Sequence, residues 1–590
     1  MTIPKDFYTS QLTIHQQALA DSKKKLTVSS ILRLTVFLLM CLGIYVGYGN
    51  AKIVAAVLLV SIVLFVILVT RHNKLQYARD LEKAIILQNE KELLALNRMV
   101  KDFPTGEQYR NSEHFFSHDI DLFGRGSFYQ YLNRTALESG SDMLARLLTQ
   151  NEITDISKKQ EAIKEIGAMP SWRQRFAGIA SLVKVEMPSQ AVQQWLSNYK
   201  AFTPKGIDKV SVGFSIVSII LWVLYFTDLI SGYYVFGWFL LGLVTTGAYF
   251  KKVNALVTET SKVQSTFEQY YKLLAEIEQQ DFKSKLLREK RALLTSEHQQ
   301  ASEVLKQFSK HLDTLDKRSN MLMGVILNGF GLHDLRATRR IEKWIESHTV
   351  AIEVWFATIA TFDAYNSLGN YAFNHPSHTY PEITNDTTVI NGVQAAHPLL
   401  NPDVAVRNDI TIKSEQFFIT TGANMAGKST FLRTVALQIV MGNTGLPVSA
   451  EKASYTPVKL ITSMRTTDSL TDDESYFFSE LKRLKFIVDQ IKKDRYFIIL
   501  DEILKGTNST DKAIGSRKFI DKLVGSNATG IIATHDLSLC QAADDLEEVE
   551  NYYFDAQIID GELYFDYTFK KGICQNMNAS FLLKKMEIID

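Results

Sequence analysis

The chain has 590 residues, a formal net charge of +1 and 22% charged residues, so it is too long for one hydrophobic core and should hold about three or four structural units. This balance of charge provides no global basic field for nucleic acid, although it leaves room for a local basic patch. The three cysteines, Cys41, Cys540 and Cys574, have neither the number of a disulfide framework nor the spacing of a metal site, which favours a reducing compartment for the soluble part.

Two pairs of apolar runs predict membrane-spanning helical hairpins. Residues 34–48 and 53–70 form the first pair, and residues 210–227 and 229–250 form the second. Each run approaches the roughly 20 residues that cross a bilayer, and aromatic residues near the second turn are typical of a membrane interface. The alternative is four buried core helices of a large soluble protein, which the basic and aromatic flanks disfavour.

The distribution of basic residues predicts the orientation. Lysine and arginine cluster on one side of both hairpins, whereas the two short turns offer only Lys52. The positive-inside rule therefore puts the N-terminus, residues 71–208 and the C-terminal half in the cytoplasm, so we expect an integral protein of the inner (cytoplasmic) membrane.

The soluble segments between and after the hairpins have a helical pattern of apolar residues, and the last third of the chain has a β-rich one. Residues 71–208 have helical apolar spacing with a break at Pro104, and residues 251–320 form a charged helical tract of one or two extended arms. A plain solvated coiled coil is an equal alternative for that tract. From about residue 381 the sequence turns to short β-rich runs.

Residues 422–429 fit the pattern G-x-x-x-x-G-K-[ST] of a phosphate-binding loop. An apolar run, 417–419, precedes the motif and a helical pattern, 431–441, follows it, which is the context this motif requires. Lys428 would reach the β- and γ-phosphates and the Ser429 hydroxyl would ligate Mg²⁺. The predicted nucleotide-binding residues are Gly422, Ala423, Asn424, Met425, Ala426, Gly427, Lys428, Ser429 and Thr430.

Two later strands end in residues suited to nucleotide chemistry. A continuous apolar run, 496–500, ends in Asp501 and Glu502, and a second run, 530–534, ends in His535. Buried parallel strands deliver their last residues to one edge of a sheet. We expect Asp501 to hold Mg²⁺ with Ser429, Glu502 to polarise the attacking water, and His535 to sense the γ-phosphate, so that Glu502, Lys428 and His535 form the catalytic set.

These segments resemble a known family. Residues 421–430, 500–509 and 533–535 are similar to the ATPase domain of MutS-family proteins, a branch of the ABC-type ATPases, and residues 121–127, 133–135 and 362–372 resemble the MutS core domain. The resemblance implies an α/β P-loop (ABC-type) ATPase domain plus an all-α core and lever domain, to which this chain adds two transmembrane hairpins. It also implies ATP and Mg²⁺ as ligands.

In that family one subunit completes the nucleotide site of the other. The resemblance therefore implies a homodimer with composite ATP sites, in which Ser475 contacts the nucleotide in trans and Asn424 lies on the γ-phosphate side. Asp473 stands where the family has glycine, and its carboxylate would repel a γ-phosphate, so we expect trans engagement to be weak or to need Mg²⁺.

The predicted layout has six parts: an N-terminal segment 1–30, transmembrane hairpin 31–70, core 71–208, transmembrane hairpin 209–250, lever helices and return of the core 251–380, and ATPase domain 381–590. Neither the mismatch-reading domain nor the connector domain of the family is recognisable, and the second hairpin stands where the family inserts its DNA clamp.

Two functions stay open. The first is a membrane-anchored ATPase coupled to DNA binding without sequence specificity, through basic residues of the 251–340 tract: Lys283, Lys285, Arg288, Lys290, Arg291, Lys306, Lys317 and Arg318. The alternative is an ATP-driven membrane mechanotransducer or partner-binding switch without nucleic acid. A transporter is less favoured because the spans hold no ionisable residue for a polar substrate, and no small-molecule substrate other than ATP is indicated.

Overall fold

The computed structural model describes residues 3–183, 188–295, 299–316, 321–423, 425–465, 476–505, 507–559 and 562–575. The N-terminal part of the chain is helical. Its helices are α1 (Pro4–Val46), α2 (Ala51–Leu96), α3 (Phe128–Leu132), α4 (Glu138–Thr149), α5 (Ile156–Gly167), α6 (Pro170–Ser181), α7 (Ser189–Asn198), α8 (Ile207–Phe226), α9 (Gly232–Gly247), α10 (Phe250–Gln279), α11 (Lys285–Ala292), α12 (Ala301–Asp316), α13 (Met321–Gly331) and α14 (His333–Asn374).

Helices α1 and α2 form an antiparallel hairpin that is much longer than its apolar part. The first thirty residues are not a separate segment, because α1 runs unbroken through 43 residues and α2 through 46. No glycine or proline interrupts the start of α1 after Pro4, so the helix propagates into the apolar stretch. At the polar end, the Tyr8 hydroxyl donates to Asn374 at 2.7 Å, which joins the hairpin to α14.

The apolar helices present their side chains outward. Among the described residues, α1, α2 and α8 are long and apolar enough to cross a membrane, and α9 with α10, bent by 61°, would make a fourth span. Only 6%, 0% and 11% of the most apolar windows of α1, α2 and α8 is buried. These three helices therefore do not have the surroundings of core helices, which was the alternative interpretation of the sequence.

The charged tract after the second hairpin is packed into the helical domain. Helices α10 and α12 lie side by side, and Phe308 of α12 stacks on Trp344 of α14 with ring centroids 3.8 Å apart. Phe267 of α10 contacts the same Phe308 ring at 4.9 Å. A plain solvated coiled coil is therefore the wrong interpretation of this tract, because α10 and α12 also pack on α14 as part of the helical domain.

The C-terminal part is a mixed α/β domain. Its strands are β1 (Glu382–Ile383), β2 (Thr388–Ala395), β3 (Asn408–Lys413), β4 (Phe417–Gly422), β5 (Lys452–Tyr455), β6 (Lys459–Ser463), β7 (Tyr496–Asp501), β8 (Thr529–Ala533), β9 (Val549–Phe554), β10 (Ala556–Ile559), β11 (Glu562–Phe565) and β12 (Lys570–Lys571). Its helices are α15 (Lys428–Thr444), α16 (Tyr476–Ile491), α17 (Ser509–Val524) and α18 (Ala542–Asp545). The predicted coarse fold, α/β sheets beside a large helical region, is confirmed.

The larger sheet decides where the functional residues meet. Its order is β12-β9-β4-β8-β7-β6, and all neighbours from β9 to β6 are parallel. Strands β4, β7 and β8 are almost wholly buried, as continuous apolar runs in a parallel sheet should be. Their carboxyl ends lie side by side at one edge.

The helical domain covers the free edge of that sheet. The amide of Thr462 in β6 donates to the carbonyl of Phe115 at 2.9 Å, and Asn151 pairs with both backbone groups of Leu460. The Arg483 guanidinium of α16 donates to the carbonyls of His114, Phe115 and Thr462. An edge strand that would otherwise expose unpaired backbone groups is thereby joined to the helical domain.

Candidate functional site

The predicted phosphate loop connects β4 to α15, and its two glycines are required by its geometry. Gly422 has φ +149°, and a Cβ added there would lie 2.6 Å from the carbonyl oxygen of Phe554. Gly427 has φ +108° and immediately precedes α15. Both backbone conformations are ones that side-chain-bearing residues rarely adopt, so the glycines of the motif allow the loop to pass close to β9 and then enter the helix.

Lys428 is folded back onto the loop. Its Nζ donates to the carbonyls of Gly422 at 2.7 Å and Ala423 at 2.9 Å, and it lies 3.4 Å from Nε2 of His535. Burial lowers the pKa of Lys428, while the nearby carboxylates of Asp501 and Glu502 oppose that shift. A buried ammonium whose two shortest hydrogen bonds go to carbonyl oxygens is suited to exchanging them for an anion.

The ends of β7 and α15 bring two oxygen ligands together. The Ser429 hydroxyl donates to the Asp501 carboxylate at 2.9 Å. Burial raises the pKa of Asp501, and the hydrogen bond from Ser429 partly offsets this. A serine hydroxyl and a carboxylate are hard oxygen donors of the kind that Mg²⁺ takes, so these two residues fit such an ion.

Glu502 and His535 form a second contact at the same edge. The backbone leaves β7 with φ +49° at Glu502, whose carboxylate lies 3.0 Å from Nε2 of His535 and 3.6 Å from Nζ of Lys505. The hydrogen bond from His535 lowers the pKa of Glu502 to about 2, against the effect of partial burial. Glu502 is therefore an ionised carboxylate with a fixed orientation at neutral pH.

A cavity of about 460 Å³ opens beside these groups. The predicted residues on its wall are Ala423, Met425, Gly427, Lys428, Ser429, Thr430, Glu502 and His535. Ala426 does not line it, because its side chain is fully buried in the hydrophobic core. Asn424 and Ser475 lie outside the described residues, and α16 begins directly after Ser475.

The opposite wall of the cavity consists of residues that the sequence patterns did not identify as a site. They come from the segment between β2 and β3, from the end of β9 and from the segment between β11 and β12: His397, Leu400, Val404, Val406, Phe554 and Tyr567. This wall is mostly apolar and aromatic, so it suits a flat ring attached to a phosphate chain.

A second cavity of about 460 Å³ adjoins the first, with which it shares Ala396, His397, Leu400 and Ala405. Its other walls are Arg98 directly after α2, and Asn374 and His375 at the end of α14. Arg98 donates to the carbonyl of Leu399 at 2.7 Å. Two long helices of the helical domain therefore end next to the predicted nucleotide site.

Comparison with known proteins agrees with this geometry. A family model described as MutS domain V matches residues 418–586. The chain is 32% identical over 220 residues to MutS protein homolog 4 of Homo sapiens, which covers 35% of this chain and 23% of that protein. It is 30% identical over 237 residues to the DNA mismatch repair protein MutS of Chloroflexus aurantiacus, covering 39% and 24% of the two chains. The chain thus spans about a quarter of the length of these relatives.

Proposed function

The C-terminal domain makes this chain a MutS-family protein, and from that premise we propose that it is a membrane-anchored ATPase that binds and hydrolyses ATP as a homodimer. The observation that carries the proposal is the contact of Ser429 with Asp501 at 2.9 Å, since Ser429 lines a cavity together with Lys428, Glu502 and His535. The loop before α15 supplies the backbone amides that phosphates need.

Each residue has a distinct part in the proposed reaction. Lys428 would exchange its two loop carbonyls for phosphate oxygens, and Ser429 and Asp501 would hold Mg²⁺, which when bound neutralises phosphate charge. Glu502 would accept a hydrogen bond from the attacking water, because its carboxylate is ionised and held in place by His535. The aromatic wall with Phe554 and Tyr567 would take the base.

Glu502→Gln tests the assignment of the water-orienting residue. Glutamine keeps the shape and an acceptor for His535 but loses the carboxylate charge, so hydrolysis should fall by roughly 10²–10⁴-fold while ATP stays bound. Turnover and bound nucleotide are measured on the detergent-solubilised protein. Glu547→Gln, an exposed glutamate away from the cavity, is the matched control. Hydrolysis by Glu502→Gln at the parent rate would show that another group positions the water.

For the action of the ATPase, DNA binding by the helical domain is the first candidate. The relative from Chloroflexus aurantiacus is named as a DNA mismatch repair protein, and the 251–340 tract of this chain carries the candidate basic residues. Lys285, Arg291 and Lys306 each lie within 4.0 Å of a carboxylate, although exposed pairs of this kind are weak and can open for phosphate. Lys317 and Arg318 lie outside the described residues.

A mechanical switch in the membrane is the second candidate, and one observation favours it. The 42 residues of α14 run from α8, one of the apolar helices, to His375 beside the cavity that adjoins the nucleotide site. At 1.5 Å per residue this helix is about 63 Å long. ATP binding that displaced its C-terminal end would therefore act on the apolar helices at its other end.

A salt titration of DNA binding in the presence of ATP separates the two candidates. Contacts to phosphates give a steep fall of log K with log salt concentration, and the combined variant Lys283→Gln, Arg288→Gln and Lys290→Gln should flatten that slope. An ATPase that binds no duplex, mismatched or branched DNA at low salt, yet changes its rate with lipid composition, supports the switch and contradicts the clamp.

We propose a cytoplasmic location for both termini and for residues 71–208. Cysteines at Asn50 or Ser231 should react with an impermeant reagent added outside intact cells, whereas cysteines at Ser112 or Ser526 should not. All four positions are exposed in the fold, so a difference reports the side of the membrane. Cys41 is exposed and should first be changed to serine. Reaction at position 112 would contradict the two-hairpin topology.

A further inference from the structure

Helix α13 is a short apolar helix that the sequence analysis placed among the lever helices. It has 11 residues and no charge, which is too short to cross a bilayer and is typical of a buried core helix or a re-entrant segment. Its side chains of Val325, Ile326 and Leu327 are 39%, 51% and 38% exposed. A helix with this much exposed apolar surface is not a core helix.

Helix α13 packs on the second apolar hairpin. A Cβ added to Gly242 of α9 would lie 2.3 Å from the carbonyl oxygen of Gly329, so the two backbones touch there. The ring of Phe330 lies 5.1 Å from that of Phe239 in α9 and 5.7 Å from that of Trp222 in α8. Close approach through small residues is the usual packing of helices in membranes.

From the turn, α14 runs back along α8, because Phe330 lies at Ser218 of α8 whereas Glu342 accepts from the amide of Phe202, ahead of α8. Protein groups satisfy the polar backbone at the turn. Leu332, buried with φ +49°, joins α13 to α14. The Ser218 hydroxyl of α8 donates to the carbonyl of Phe330 at 2.7 Å. The Asn328 side chain accepts from the amide of Asp334 at 2.8 Å, and the Asn328 carbonyl accepts from the amide of Leu332 at 3.2 Å. Irregular backbone at membrane depth is tolerated only when it is satisfied in this way.

The charges near the turn also fit a segment that returns to the interface. The ring of His333 lies 3.7 Å from the carboxylate of Asp334, so the two polar side chains at the turn lie beside each other. The first three turns of α14 then carry a basic cluster, Arg336, Arg339, Arg340 and Lys343. Arg339 is paired with Glu342 and Glu346, whereas Arg340 and Lys343 are exposed, and exposed basic residues at this distance from a membrane segment can reach the headgroups on the cytoplasmic side.

We propose that α13 and the start of α14 form a re-entrant hairpin that enters the bilayer from the cytoplasmic side, packs on α8 and α9, and presents residues 325–327 to lipid acyl chains. The inference rests on the proposed membrane anchoring. Ser218, which contacts the turn, lies near the middle of α8, so the hairpin reaches about half the depth of that helix. Helix α14 then starts inside the membrane and ends beside the nucleotide site.

Depth-dependent quenching tests the proposal on the full-length protein in liposomes. Single cysteines are introduced at Ile326, at Ile219 on α8 and at Val350 on α14 in a Cys41→Ser background, and each carries an environment-sensitive fluorophore. Ile219 is 63% and Val350 82% exposed, and Val350 lies about 27 Å along α14 from the turn. Lipids with a nitroxide on the acyl chain should quench positions 326 and 219 several-fold more than position 350.

The two ways of failing are distinguishable. Quenching at 219 without quenching at 326 overturns the re-entrant hairpin and leaves the anchor intact, whereas no quenching at 219 overturns the anchor as well. Val325 and Leu327 are second and third test sites, so that one poorly folded variant does not decide the outcome. Each labelled protein must keep the parent ATPase rate.

Discussion

Gly422→Ala should damage the fold of the nucleotide site as well as its chemistry. The new Cβ would lie 2.6 Å from the carbonyl oxygen of Phe554 and 3.3 Å from its amide nitrogen, and these atoms belong to β9, the parallel neighbour of β4. Backbone in a sheet cannot move aside as a flexible side chain can. Backbone strain of about 1–2 kcal/mol and an overpacking cost of about 1–3 kcal/mol together give a loss of roughly 2–5 kcal/mol.

For a domain of this size, that loss corresponds to a drop of roughly 4 to 20 °C in the unfolding temperature. Scanning fluorimetry of the solubilised protein measures the shift, and a fluorescent ATP analogue measures binding, which should be lost. Gly392→Ala is the matched control, because the nearest atoms to its new Cβ lie at 3.4 Å, an ordinary contact. If both variants melt together and bind nucleotide equally well, the steric argument for the loop is incorrect.

Three further predictions concern charges. His535→Ala removes the hydrogen bond that holds the pKa of Glu502 at about 2, so this pKa should rise towards its ordinary 4.5. The acid limb of the pH–rate profile should then move to higher pH. An acid limb that does not move would contradict the effect of His535 on Glu502. Arg483→Met removes the guanidinium donor from three backbone carbonyls, of which that of Phe115 keeps the amide of Thr462, and should cost about 2–4 kcal/mol in a melting experiment. Lys485→Met, on the exposed face, should cost little. Burial raises the pKa of Asp363 from 3.8 to about 7. Between these two pH values the folded state binds more protons than the unfolded state, so stability should fall as the pH rises from about 4 to about 7. Asp363→Asn should remove the contribution of Asp363 to this fall in melting temperature.

The grouping of the predicted nucleotide-site residues at one edge of the sheet could be predicted because its information is local. The spacing of Gly422, Gly427 and Lys428 describes one turn between a strand and a helix, and helical geometry alone puts Ser429 next to Lys428 at the helix start. Asp501 and His535 followed from a second rule, that buried parallel strands are continuous apolar runs whose carboxyl ends share an edge. The order of the strands was not needed for that inference, only their common direction.

The other wall of the cavity needed the tertiary structure. His397, Phe554 and Tyr567 are far apart in the sequence and lie on or beside different strands, and a lone histidine or aromatic residue is as compatible with a core as with a site. The contacts of Arg483 were equally hidden, because its acceptors are backbone carbonyls and every residue carries one.

For the apolar helices, too, the sequence determined one part and the tertiary structure another. Composition by itself determined that residues 34–70 and 210–250 are candidate membrane hairpins, because about 20 uncharged apolar residues in a row have few other uses. It did not determine where those helices end, since α1 and α2 continue through polar sequence without a breaking residue. Nor did it identify α13, because 11 apolar residues suit a core as well as a membrane, and only its exposed face and its contact with Gly242 separate the two.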